Sequence, residues 1–290
     1  MSSTQRIIYV AVGERYIQEA CTSVKSLCAY MPHAHVTLST QNLLKDHDLF
    51  DHVIQISDAH DGFRAKISAI QQSPYTETVY LDTDTFICED LSSLYDLLET
   101  FDIAASHAPK RQLYPVEGVP DCFAELNSGV LVYKKSKAFN TFCDDWLAFY
   151  DDHLNEPQPY PNNDQPPFRA TLFRSNLRLA TLPPEYNCRA NGPGYLSGSV
   201  KVIHKRAEAT ELQRIAGILN QYHGQRVHVG GDVYQHHRTV IPPRHLRPKY
   251  IGRIEPSLWR IVLKRLRNSL DKRGFLDTWQ YFLLWLKGDK

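Results

Sequence analysis

The chain has 290 residues, 42% of them apolar or aromatic and 22% charged, with a formal net charge of +1. That length holds one large α/β domain or two small ones around a substantial core. The even charge excludes a disordered chain and a globally basic nucleic-acid binder, and no apolar run approaches the ~18 residues that a membrane-spanning helix needs.

The first segment, MSSTQRIIYVAV, carries one Arg, a short apolar stretch and no A-x-A site, so it reads as a first strand (7–12) and not as a signal peptide. Residues 15–31 place Ile17, Cys21, Val24, Leu27 and Cys28 at helical spacing, with Pro32 as the stop. Strands are predicted at 35–40 and 52–57, a helix at 63–73, a strand at 78–84, and a helix at 90–101 with Leu91, Leu94, Leu97 and Leu98 on one face. A strand at 103–108 and another at 128–135 precede a helix at 137–154, a Pro/Asn-rich loop at 156–167 and a short helix at 168–175. Strands at 177–187, broken by paired prolines, and at 199–205 follow. Strand–helix alternation of this kind predicts a mainly parallel sheet flanked by helices. Six cysteines (21, 28, 88, 122, 143, 188) form no CxxC pair and predict reduced thiols in a cytoplasmic protein. His223, His228, His236 and His237 match no common zinc spacing and read as part of a solvated, irregular region.

The sharpest local pattern is Val79-Tyr80-Leu81-Asp82-Thr83-Asp84. A strand ends there in two carboxylates one residue apart, and ligands of open α/β sheets bind beyond the carboxyl ends of strands. Two hard oxygen donors suit Mg²⁺ or Mn²⁺, and such an ion can hold a diphosphate. The plainer reading is a solvated turn, since Asp and Thr favour turns.

The stretch from Lys66 through YLDTDTFICEDLSSLYDLL resembles the core of GT-A glycosyltransferases, close to the retaining glycosyltransferase family 8. Downstream, Asn127-Ser128-Gly129-Val130 resembles that family's N-(S/A)-G-V strand, Asp164-Gln165 its D-Q element, Leu182-Pro183-Pro184-Glu185-Tyr186-Asn187 its L-P-x-x-(Y/F)-N loop, and Val202-Ile203-His204 its I-I-H strand. The likeness spans roughly residues 7–206, and it is the order of five elements that makes it specific. It implies a GT-A fold in residues 1–243 and a transferase that takes a hexose from a UDP-sugar to an acceptor, with retention.

The resemblance makes Asp82, Asp84 and His204 the metal ligands, and an imidazole beside two carboxylates suits Mn²⁺ (or Mg²⁺) better than Ca²⁺. It places Asn127, Asp164 and Gln165 at the donor sugar, Lys66 and Thr83 with the donor, and Ala11, Val12 and Tyr16 at the nucleobase. Tyr16 either stacks on a uracil or packs as a helix-start aromatic. Where the family continues H-x-x-G-x-x-K-P-W, this chain reads His204-Lys205-Arg206-Ala207, so Lys205 or Arg206 is the candidate cation for the diphosphate. Asp164, before Gln165-Pro166-Pro167, also reads as a helix N-cap. Three other readings compete: a haloacid-dehalogenase-like phosphatase, which also ends a strand in D-x-D, a nucleotide-sugar pyrophosphorylase, which would need a Gly-rich basic loop where Gly13-Glu14-Arg15 stands, and a non-catalytic nucleotide-sugar-binding protein.

Residues 244–290 form a basic tail, with 12 Lys/Arg against 4 Asp/Glu, which leaves 21 basic and 28 acidic residues in 1–243. Leu258, Ile261, Val262, Leu266 and Leu270 share a helical face, Arg260, Lys264 and Arg267 another, and the aromatic run 275–287 follows. This pattern fits an interfacial anchor on an anionic membrane, and equally a helix packed on a protein surface. The acceptor is read as a glycan, a lipid-linked sugar or a protein.

Overall fold

The chain runs β1 (Arg6–Ala11), α1 (Glu14–Cys28), β2 (His35–Thr40), β3 (His52–Gln55), α2 (Gly62–Gln72), β4 (Glu77–Leu81), β5 (Thr85–Ile87), a 3₁₀ helix (Ser92–Glu99), β6 (Ile103–His107) and β7 (Leu126–Lys134). It continues through α3 (Lys137–Asn155), α4 (Gln165–Arg174), β8 (Leu179–Leu182), a 3₁₀ turn (Pro184–Asn187), β9 (Cys188–Arg189), β10 (Pro193–Leu196), β11 (Val202–His204), α5 (Ala209–Gln221), β12 (Arg226–Val229) and β13 (Asp232–Gln235). This computed structural model describes residues 5–41, 48–56, 62–109, 114–155, 163–221, 224–230 and 232–235. The expected helix and aromatic run of the tail, and His223, His236 and His237, lie outside the described residues.

Seven strands form the main sheet in the order β3-β2-β1-β4-β7-β6-β8. All are parallel except β7, which runs against both β4 and β6. Strand periodicity sorts β1 into two cores. Ile7, Tyr9 and Ala11 pack with Ile17, Ala20, Val24 and Leu27 of α1, while Ile8 and Val10 pack with α2, with Phe139, Phe142 and Trp146 of α3, and with Phe168 of α4. A sheet covered on both faces needs apolar residues at both parities, which is why its strands read as continuous apolar runs. The fold is the mixed, mainly parallel α/β sandwich expected from the sequence.

Three expectations need correction. The 90–101 segment winds as a 3₁₀ helix, not an α-helix. Its tighter turn aligns residues three apart, and Leu91 and Leu94 are both buried. Residues 209–221 form a helix that the alternation pattern did not include, with Leu212, Ile215 and Leu219 as its buried face. His228 does not sit in a solvated irregular region: it lies on β12, paired with β10 and β13, and is 2% exposed.

Candidate functional site

Chain order places the site. After β1, β2 and β3 have been laid outward on one side of β1, the chain crosses to lay β4 on the other side. The crevice between the carboxyl ends of β1 and β4 is therefore a topological switch point, where open α/β sheets bind ligands. A cleft of about 550 Å³ lies there, lined by Val10, Val12, Tyr16, Phe63, Lys66, Tyr80, Asp82, Thr83 and Asp84 and, from the far wall, by Asn127, Ser128, Asp164, Gln165, Arg189, His204 and Arg206.

Antiparallel β7 begins where β4 ends, so Asn127-Ser128-Gly129 runs past Leu81 and alongside the acidic pair; the Asp82 amide donates to the Gly129 carbonyl at 2.8 Å. His204 reaches the same point because β11 pairs antiparallel with β5 and sets His204 opposite Thr85, next to Asp84. His204 Nε2 lies 3.1 Å from Asp84 Oδ1 and 3.5 Å from Asp82 Oδ2, and the three side chains converge as one ligand group. Gly129 closes the cradle: a Cβ there would lie 2.7 Å from Asp82 Oδ2 and overlap the His204 ring.

The donor set fits a divalent cation. Octahedral ligands at ~2.1 Å keep neighbouring donors roughly 3 Å apart, close to the separations found. His204 Nδ1 donates to Asn187 Oδ1 at 2.8 Å, which orients the ring with Nε2 toward the carboxylates. Burial pushes the Asp84 carboxyl up, but the His204 hydrogen bond and the nearby His204, Arg206 and Arg189 charges outweigh it and hold the group well below the usual carboxylate range.

The network continues away from the cation position. Asn187 Nδ2 donates to Asn127 Oδ1 at 2.8 Å, and Asn127 Nδ2 donates to Gln165 Oε1 at 3.3 Å. Lys66 Nζ bridges Asp82 Oδ1 (3.3 Å) and Asp164 Oδ2 (3.0 Å) and donates to Ser128 Oγ at 2.8 Å. Burial lowers the Lys66 ammonium, but Asp164 and Asp82 outweigh it and raise it above its ordinary value. Tyr80 OH donates to Asp82 Oδ1 at 2.6 Å. Burial, and then the Asp82 charge, raise this phenol far above its ordinary value, so it keeps its proton for that bond.

Asp164 is not a side-chain cap. Its backbone carbonyl accepts the first helical bond, from Phe168 N, but its carboxylate makes no capping bond. The physical reason is the prolines: an N-cap side chain binds the second or third amide of the helix, and here those positions are Pro166 and Pro167, which have none. The remaining amide, Gln165 N, donates to Asn163 Oδ1 at 2.9 Å, which frees the Asp164 carboxylate for Lys66 and Ser128.

Most of the residues singled out from sequence converge here, with two exceptions. Ala11 is fully buried in the core on the opposite face of β1, and Val10 takes its place in the cleft wall. Lys205 is not among the lining residues; its backbone amide donates to the Asp84 carbonyl. Arg206 reaches in from the rim, donating to Glu19 Oε1 at 2.7 Å and standing over the Tyr16 ring at 5.4 Å. Thr83 Oγ1 donates to the other oxygen of Glu19 at 3.2 Å. Tyr16 is 39% exposed at the mouth of the cleft. Arg64, on the same helix as Lys66, pairs with Asp151 at 3.0 Å. Tyr80, Ser128, Asn187 and Arg189 were not singled out, although period-2 spacing before Asp82 marks Tyr80 and the quoted motifs contain Ser128 and Asn187.

The strand order, with its switch point between β1 and β4, is that of the GT-A fold. Solved structures share it at low identity. The chain is similar to the glycosyltransferase GlyE of Streptococcus pneumoniae TIGR4 (TM-score 0.50, 18% identity, over 66% of this chain and 48% of GlyE). It is similar to an active-site mutant of LgtC (TM-score 0.51, 14% identity, over 73% of this chain and 95% of that one) and to the bifunctional glycosyltransferase WbbM (TM-score 0.50, 14% identity, over 72% and 46%). The chain thus spans about half the length of the GlyE and WbbM structures it matches. No protein-family model matches the sequence, and the search of curated proteins gives no match.

Proposed function

We propose that the chain is a metal-dependent glycosyltransferase that moves a hexose from a UDP-sugar to an acceptor hydroxyl. The observation that carries this reading is the convergence of Asp82, Asp84 and His204 at the switch-point cleft. Mn²⁺ or Mg²⁺, held by these three residues, supplies charge neutralisation for the departing diphosphate. Lys66 locks Asp82 and Asp164 relative to each other, Tyr80 fixes one oxygen of Asp82, and the Asn187–Asn127–Gln165 chain orients the amide that faces the sugar. Asp164 is engaged by Lys66 and Ser128, which suits orientation of a sugar hydroxyl better than covalent attack. Retention follows from the family 8 resemblance, through attack by the acceptor on the face that the diphosphate leaves. A phosphatase reading is disfavoured, because both carboxylates point at an imidazole and not at a free nucleophile position.

The test is a panel of nucleotide sugars scored by thermal shift and by hydrolysis, with Mn²⁺ or with EDTA. Stabilisation and turnover that need both a UDP-sugar and the metal support the reading; turnover unchanged in EDTA overturns it. The acceptor is a glycan, a lipid-linked sugar or a protein, and residues 257–287 would meet an anionic membrane. Reversing Arg260, Lys264 and Arg267 to Glu in the full chain should abolish co-sedimentation with anionic vesicles.

A further inference from the structure

Three elements meet on the Glu19 carboxylate at the mouth of the cleft. Glu19 lies on α1 one turn beyond Tyr16, a spacing that puts the two on one helical face. Its Oε1 accepts from Arg206 Nε at 2.7 Å and from Arg15 Nε at 3.2 Å, and its Oε2 accepts from Thr83 Oγ1 at 3.2 Å. Thr83 is 7% exposed and stands between Asp82 and Asp84, while Arg206 follows β11. One carboxylate on α1 thus ties the rim arginine to the acidic turn. Glu19 is not among the residues that line the cleft, so it acts on the cleft through these partners.

The way Arg206 is held sets it apart from the other two cations of the cleft. Lys66 is held by two carboxylates, and Arg189 lies over the His204 ring, 2.9 Å from Nε2 and 3.3 Å from Nδ1. Glu19 takes Arg206 by Nε, and among the described residues neither of its Nη groups makes a hydrogen bond. Nη2 stands 3.9 Å from Asp84 Oδ2, too far for one. The guanidinium therefore reaches from the Tyr16 ring to the acidic pair with the fork of its two Nη groups still open, and such a fork matches two phosphate oxygens. A diphosphate that joined a base at Tyr16 to a cation at Asp84 would run past it. The Arg206 side chain is 43% exposed, and a long side chain at that exposure loses rotamer freedom when it binds a ligand; a partner that orders it beforehand lowers that cost.

We propose that Glu19 is a positioning residue of the donor site, which holds Arg206 by Nε so that the open end of the guanidinium is preset for the diphosphate. This rests on the nucleotide-sugar reading above and adds to it the residue that orders its rim cation. Bare electrostatics makes the opposite forecast: Glu19 brings a negative charge close to an anionic ligand, and its removal should tighten binding. The two accounts differ in sign.

The test uses the full chain as wild type, Glu19→Met, Glu19→Gln, Arg206→Met and the double variant Glu19→Met/Arg206→Met, each titrated with UDP by calorimetry at saturating Mn²⁺. Arg206→Met should bind UDP roughly 10- to 100-fold more weakly, the worth of a charge-assisted contact. Glu19→Met should weaken UDP by about 10-fold, the cost of one long side chain left to be ordered by the ligand. Glu19→Gln keeps an acceptor for Arg206 Nε without the charge and should recover most of that loss. In the Arg206→Met background the same Glu19→Met change should have little further effect, because its only route to the diphosphate is gone. Equal or tighter UDP binding by Glu19→Met overturns the proposal, and so does wild-type affinity in Arg206→Met. An equal loss from Glu19→Met in both backgrounds overturns it as well, since Glu19 would then support the cleft without acting through Arg206. Failure of the wild type itself to bind UDP has a different signature: it removes the nucleotide reading first, and this proposal with it.

Discussion

Lys66 Nζ stands 3.0 Å from Asp164 Oδ2, and the two side chains are 5% and 3% exposed. An ammonium on α2 thereby ties the residue that opens α4 to the acidic end of β4. The pair is sealed from water, so removal of either partner strands the other, and such losses are larger than the net worth of the intact pair.

Lys66→Met should therefore destabilise the fold by about 3 kcal/mol, through two carboxylates left without their cation, and should abolish donor turnover. Lys66→Arg keeps the charge but not the compact head and should recover more stability than activity. Urea melts and donor hydrolysis measured on the same preparations check this. Wild-type turnover in Lys66→Met would show that the bridge plays no part in the reaction.

Asn187 holds His204 through Nδ1 while its own amide holds Asn127. Asn187→Leu should leave all three proposed metal ligands in the chain and still weaken Mn²⁺ binding by about 10- to 100-fold, the usual effect of losing the partner that orients a ligating imidazole. Calorimetric titration with Mn²⁺ reads this directly. Gly129→Ala should be at least as harmful, because its methyl would occupy the space of the ligands themselves.

The sheet and its cleft were legible because their signals are local. Parallel strands buried on both faces read as unbroken apolar runs, and Asp82-x-Asp84 announces the carboxyl end of one of them. Arg189 was not legible. It belongs to a two-residue strand, and its position beside His204 is set by pairing across β9 and β11, a relation with no sequence period. Asn187 was visible inside a quoted motif, but its task as the partner of His204 Nδ1 depends on that same long-range pairing. Asp164 was legible as a helix-start residue and misread as a capping side chain. Pro166 and Pro167 remove the amides a cap would bind, and that consequence was already written in the sequence.

Asn163 and Asp164 should accordingly separate stability from chemistry. Asn163→Ala removes the acceptor for Gln165 N and should cost about 1 kcal/mol, the usual worth of a cap, while Asn163→Ser should cost little. Asp164→Ser should cost more than a cap, about 2 kcal/mol, because it deletes a hydrogen-bonded charge partner of buried Lys66, and it should lower donor turnover strongly. If Asp164→Ser retains both stability and turnover, the carboxylate is dispensable and Asn163 alone organises this end of α4.

The last prediction concerns pH and lies away from the cleft. His228 is buried on β12; its Nε2 is 3.6 Å from Cys188 Sγ, and among the described residues its Nδ1 has no hydrogen-bond partner. Burial, and then the Arg226 charge, push its imidazole down to about 4. The unfolded chain restores an ordinary value of about 6.5. Above that pH neither state is protonated and His228 contributes no pH dependence. Between about 6.5 and about 4 the unfolded state takes up a proton that the folded state refuses, so stability falls as the pH falls. The loss levels off once the folded imidazole also titrates, at a total of about 3 kcal/mol. His228→Leu fills a similar volume and cannot titrate. Unfolding free energies of both proteins, measured from pH 7.5 to 4.5, should diverge below pH ~6.5, with the wild type losing more stability from its own pH 7.5 value. Curves that run parallel throughout would mean that His228 is charged, or accessible to water, in the folded state.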